Sequence, residues 1–351
     1  MGGSTILNLQ VLRGVAAMGV VFYHTGFLLA GGWHTEFSGV AIFFVLSGFI
    51  MSYISQNGEQ DFLPKRLIRI LPLYWIAIAT VLITSYQFRI FRPSVLLSDD
   101  PPLIIEILRS MLFLPWSKFP VLAVGWTLNF EIYFYLVFAA MIAINRRFAP
   151  VLTAAFVLAV IQLDRATGEQ FFLLHYYSDA YIAHFVDGIV IYYVWTLLGR
   201  FTPPVAGPLL ATVIVLWFAM EFAYPLWPAW LPSWLSWGPG TVTAAALFME
   251  SAGVRIAWRP LLLLGDASYS IYLFHTIWFG VMRPYLRDFG LPTASDSIAV
   301  MLFSIVSAAM IGIAIHLWIE KPILVRLRAK LRSRRPEVAQ LPEATEVASP
   351  S

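Results

Sequence analysis

Apolar runs long enough to cross a membrane recur along almost the whole of this 351-residue chain. That recurrence constrains the fold more than any other feature, because each run of about 20 such residues is a candidate membrane-spanning helix. Hydrophobic residues make up 59% of the chain and charged residues 12%, roughly half the charge fraction of a soluble domain. The chain reads as all-α, a polytopic helical membrane protein. Ten spans are expected, at about 9–30, 38–55, 68–88, 125–144, 150–164, 182–199, 208–224, 239–253, 266–284 and 296–319. A weaker apolar stretch near 103–114 reads as an interfacial or re-entrant helix, although an eleven-span reading also fits.

Positive charge orients the chain, since cytoplasmic loops carry the excess of Lys and Arg. With ten spans and both termini cytoplasmic, fifteen of the 23 Lys and Arg fall inside and seven outside, with Arg13 within the first span. The expected organisation is an integral membrane domain over 1–325 and a basic, then polar, disordered tail over 326–351. A bacterial inner membrane is the expected location. The net charge of +3 is spread over loops and tail, so nucleic acid is not an expected partner. The chain has no cysteine, which excludes disulfides, thiolate metal sites and a cysteine-linked acyl intermediate. No cluster has metal-ligand spacing, and no metal or bound cofactor is expected. G-x-S-x-G, Walker A, G-x-G-x-x-G and H-E-x-x-H motifs are all absent.

Ionisable groups inside apolar runs carry the functional signal, because such groups are costly in hydrocarbon and face a protein interior or a wet cavity. Arg13 and His24 lie eleven residues apart in the first run. Eleven helical residues make three turns plus roughly 20°, so both share one face about 16 Å apart along the axis. One end of that face suits an anion and the other suits proton handling. Glu131, in GWTLNFE, lies at a depth matching His24 when depth is counted from the helix ends. It is therefore read either as the carboxylate that orients His24 or as a structural partner for an arginine. Arg66 and Arg69, in KRLIRILPLYW, share a face at the inner mouth of the third span. They are either a topology signal or, with Arg13, a phosphate clamp.

Other features have competing readings. Ser47, in SGF, marks close helix packing or lines the site. In SYSIYLFH, Tyr269 is a belt residue or a lining residue, and His275 is a second intramembrane imidazole. His316 and Glu320, four apart, pair with each other. Trp33, Trp116, Trp126, Trp227, Trp230, Trp234 and Trp237 gather on the outer side. An interfacial belt explains them, with sugar stacking the minority reading.

Taken in order, Arg13 and His24, FFVLSGF, KRLIRILPLYW, GWTLNFE, SYSIYLFH and IEKP resemble the membrane acyltransferase-3 family from Leu9 to about Pro322, and most closely its exopolysaccharide O-acetyltransferases. Lys65, where many members have arginine, and the Lys of IEKP depart from the pattern. The resemblance implies ten spans, acetyl-CoA as cytoplasmic donor substrate and a glycan or lipid-linked oligosaccharide as acceptor. Polysaccharide assembly machinery is an implied partner. It also implies donor binding by Arg13, Arg66 and Arg69, catalysis by His24 with Glu131, and a place for Trp126 beside the site. Succinyl in place of acetyl transfer, a proton-coupled exporter and a non-catalytic assembly scaffold are the alternatives.

Overall fold

The computed structural model describes residues 6–29, 39–58, 60–88, 102–223, 238–290 and 297–333. Among these residues the chain is helical, with no strand. Ten long helices occupy the ten stretches expected: α1 (Leu7–Leu29), α2 (Gly39–Gln56), α3 (Phe62–Phe88), α5 (Trp126–Asn145), α6 (Ala149–Thr167), α8 (Ala180–Leu198), α9 (Ala206–Ala223), α10 (Gly238–Ser251), α12 (Ser268–Asp288) and α13 (Ile298–Ile315). Short helices α4 (Leu103–Met111), α7 (Phe172–Tyr176) and α11 (Arg259–Asp266) sit in the connections, and α14 (Lys321–Ser333) closes the described chain. Six helical segments among the described residues are long and apolar enough to cross a membrane.

Helix α1 is the hub. It packs against α2, α10, α11, α12 and α13, so its polar side chains face protein rather than lipid. Its N-terminal amides need acceptors, and Glu250 supplies them, accepting from the Leu7 and Asn8 N–H groups at 3.2 and 2.8 Å. Helix α2 lies flat against α8, where Gly48 and Gly188 meet. A Cβ on Gly48 would stand 2.0 Å from the Phe185 carbonyl oxygen, and one on Gly188 would stand 2.0 Å from that of Val45. Such close approach is what small residues provide in membrane helix packing.

Two boundaries differ from expectation in ways that matter. Helix α3 begins at Phe62, so Lys65, Arg66 and Arg69 occupy its first turns instead of preceding it. Long unbranched basic side chains are good helix formers, and the helix continues through them. Helix α5 begins inside the protein. Residues Val121, Leu122, Val124 and Gly125 are buried, and a Cβ on Gly125 would meet the Tyr74 hydroxyl at 2.6 Å. The preceding α4 turns Glu106 and Ser110 inward and exposes Leu103, Ile104, Ile105 and Leu108, the inverted pattern of a helix lying against lipid. Ser110 Oγ accepts from the Val121 N–H at 2.9 Å and ties the following segment down into the bundle. At the C-terminal end α14 carries the chain across residue 326 to Ser333. The rest of the expected tail lies outside the described residues, as do Trp33, Trp227, Trp230, Trp234 and Trp237.

Candidate functional site

Arg13 and His24 of α1 both turn toward α12. Arg13 donates from Nη1 to Gln10 Oε1 at 3.2 Å and from Nη2 to Ser268 Oγ at 3.0 Å. Three turns on, His24 Nδ1 lies 3.0 Å from the Val20 carbonyl oxygen and 3.1 Å from His275 Nε2. The Nδ1 of His275 is in turn 3.1 Å from the Ile271 carbonyl oxygen. Carbonyls only accept, so with both rings neutral each Nδ1 carries its proton. His275 Nε2 is then the acceptor facing His24, and the Nε2 of His24 keeps its lone pair. This tautomer assignment follows from the hydrogen-bond network.

Beside the N-terminal half of α1 is a cavity of about 110 Å³ between α1, α2, α3, α5 and α12. Its two ends differ. At one end stand Arg13, Arg66 and Arg69 with Ser268, Tyr135 and Tyr269. Arg13 lies in the electrostatic field of Arg69, Glu131 and Glu320, and the Tyr269 hydroxyl donates to the Ile70 carbonyl at 2.8 Å. In the middle, Glu131 Oε1 accepts from Ser47 Oγ at 3.3 Å and from the Tyr135 hydroxyl. One or two turns away from these along α2, α5 and α12 come Val40, Phe43, Phe44, Leu128, Thr127 and Tyr272, while Leu46, Ile50, Met51 and Ile70 complete the lining. With three guanidinium groups and one carboxylate among its lining residues, the cavity has the charge of an anion site at one end and none at the other.

Most of the residues singled out from the sequence therefore meet in one place. Arg13, Ser47, Arg66, Arg69, Glu131 and Tyr269 all line the cavity, although they come from five helices. Ser47 lines it while its neighbour Gly48 makes the packing contact with α8. The paired and buried His316 and Glu320 are the two ends of a π-helical turn between α13 and α14. Their bond of 2.7 Å is joined by Ser270 Oγ, which donates to Glu320 at 2.7 Å.

Three expectations need correction. His24 and Glu131 do not pair: His24 meets His275, and Glu131 meets Ser47 and Tyr135. Their depths matched only on the assumption that α5 starts at the membrane surface. Because α5 starts among buried residues, Glu131 falls deeper, among the arginines. Trp126 does not line the cavity; its ring packs edge-on against Phe130 and Tyr181 at 5.9 and 5.4 Å. His275 is likewise absent from the lining; it meets His24 and lies beside the lining residue Tyr272. Separately, Asp164, Glu169 and His175 bring potential ligand atoms within 4.8 Å of one another. Their spacing gave no metal signal. They meet because Gly168 and Glu169 turn the chain back with φ of 64° and 62°. Asp164 already accepts from Ser178 Oγ at 2.5 Å.

The sequence reading passed over Phe43, Thr127, Tyr135 and Tyr272. Tyr135 had a legible signal, four residues beyond Glu131 on the same helix face. The other three look like ordinary apolar-span residues until the helices are assembled.

The sequence profile of the acyltransferase domain, the acyltransferase-3 profile, matches residues 6–318. The exopolysaccharide production protein ExoZ of Rhizobium meliloti is 33% identical over 84% of this chain and 91% of its own length. The putative membrane-bound transacylase BcsY of Komagataeibacter xylinus is 28% identical over 87% of this chain and 81% of its own. The O-acetyltransferase OatA of Staphylococcus aureus is 22% identical over 90% of this chain, which spans 57% of OatA's length. No solved structure matches the chain.

Proposed function

We propose, from the premise that this chain belongs to the acyltransferase-3 family, that it moves an acetyl group from cytoplasmic acetyl-CoA to a sugar hydroxyl of an exopolysaccharide or its lipid-linked precursor. The observation that carries this reading is the cavity beside α1, cationic at one end and apolar at the other. A coenzyme A thioester has the same polarity, with phosphates at one end and an acyl group at the other. A relative named for exopolysaccharide production and another named as an O-acetyltransferase support a glycan acceptor.

In this reading the ten long helices are ten spans of a bacterial inner membrane, with both termini in the cytoplasm. Arg13, Arg66 and Arg69 bind the donor's phosphates, which guanidinium forks match in charge and geometry. Glu131, held by Ser47 and Tyr135, is the counter-charge that sets the arginine side chains. The pantetheine arm runs toward the outer half. A sugar hydroxyl is a weak nucleophile until it loses its proton, and the free Nε2 of His24 takes that proton. The hydroxyl oxygen forms its bond to the thioester carbonyl carbon, the carbon–sulfur bond breaks, and the proton passes to the leaving thiolate. His275 keeps the His24 Nδ1–H occupied, so that Nε2 remains the acceptor.

Labelled acetyl-CoA supplied to the cytoplasmic face of membrane vesicles tests the proposal. Covalent label in extracted polysaccharide is the expected result. Transmembrane movement of unlabelled, unmodified polysaccharide precursor would overturn it in favour of an exporter.

A further inference from the structure

Resting on that reading of the donor, we infer that Phe43 and Tyr272 form the wall that limits the transferred group to a short, uncharged acyl chain. The wall stands where the cavity ends. Phe43 and Tyr272 both line it, with ring centroids 6.1 Å apart and edge-on at 69°. Beyond Tyr272, its ring 6.1 Å away, lies His275, and His275 leads to His24, 4.9 Å from ring to ring. Neither imidazole lines the cavity, so the acceptor hydroxyl must reach the thioester carbonyl from the His24 side, past the edge of these rings. A thioester threaded from the arginine end therefore brings its acyl group up against these two rings.

The wall is held in place from several sides. The Tyr272 hydroxyl donates to the Val124 carbonyl at 2.9 Å and lies 2.8 Å from Thr127 Oγ1. Phe44, next to Phe43, packs onto Phe185 at 4.7 Å and edge-on against Phe130 at 6.4 Å. Close-packed rings of this kind yield little to an added methylene, so a longer acyl chain meets resistance.

Charge is excluded by a different feature of the same end. The arginines lie at the opposite end, and Val40, Phe43, Phe44 and Leu128 offer no donor. The two hydroxyls present are already satisfied by each other and by the Val124 carbonyl. A succinyl carboxylate would arrive there without a partner, and an unpaired buried charge is strongly unfavourable. The apolar end thus selects acetyl over succinyl, although both donors share the same coenzyme handle.

The experiment compares acetyl-, butyryl-, hexanoyl- and succinyl-CoA as donors. It uses membranes holding the full chain and, as acceptor, polysaccharide from a strain lacking it, with transfer read by mass spectrometry. The intact protein should use succinyl-CoA at least a hundredfold less well than acetyl-CoA. Phe43→Ala should raise the butyryl-to-acetyl ratio of kcat/KM about tenfold, and the milder Phe43→Leu about threefold. Acetyl transfer with ratios unchanged in both Phe43 variants overturns the wall while leaving the acyltransferase reading intact. So does equal use of succinyl-CoA by the intact protein. If no acyl-CoA supports transfer, the underlying reading fails and the wall with it.

Discussion

Around Arg13, α1 faces two further arginines, a carboxylate and several hydroxyls across an open cavity. Around His24, three turns away, it faces one other imidazole and a backbone carbonyl; among the described residues no carboxylate is bonded to His24, and His24 is not among the cavity's lining residues. Both faces are presented to the same helix, α12, through Ser268 and His275. On the proposed reading, the difference teaches that the two tasks an acyl transfer imposes are kept apart along one helix. Anion binding takes charge and space. A base held in a single tautomer takes neutral, directional partners. Had Glu131 paired with His24, as depth counted from helix ends suggested, the cavity would have lost the one carboxylate among its lining residues.

The separation can be broken most decisively at His24. Replacing it with alanine should lower acetyl transfer by about 10²–10⁴-fold, the usual contribution of a positioned general base, while the apparent Kd for acetyl-CoA stays within about twofold. A large loss of donor binding in His24→Ala would show that the two ends are one site. Next in size is Arg13→Ala. A hydrogen bond to a charged group contributes about 1.5–3 kcal/mol, so the donor KM should rise by roughly 10- to 100-fold with a smaller change in kcat. An unchanged donor KM would remove Arg13 from donor binding. The smallest effect sharpens the comparison: His275→Ala should lower kcat about tenfold, the scale of one lost orienting hydrogen bond, without moving the donor KM. His275→Gln, whose side-chain oxygen can accept from the His24 Nδ1–H, should recover part of the loss. Equal defects in the two variants would mean that His275 only fills space.

How much of this was legible depended on how local each signal was. The ten long helices were visible because hydropathy is carried by consecutive residues. The convergence of Arg13, Arg66 and Arg69 was legible in their place near the N-terminal ends of two runs that the charge pattern put on one side. Ser47 was harder, because the small residues of SGF divide between two jobs on opposite faces of α2. His275 was visible as an anomaly without a partner. Phe43 and Tyr272 carried no signal, since an aromatic ring in an apolar run becomes a wall only when a cavity forms behind it.

By itself the amino-acid sequence determined that the chain is helical, that it has an apolar stretch for each long helix and that one polar stripe runs along α1. It did so because apolar length and helical period are properties of neighbouring residues. Only the tertiary structure decided which groups on that stripe meet which partners. Partner choice depends on where helix ends stand relative to one another. Packing sets that, through the buried start of α5 against Tyr74 and the glycine contact that draws α2 onto α8.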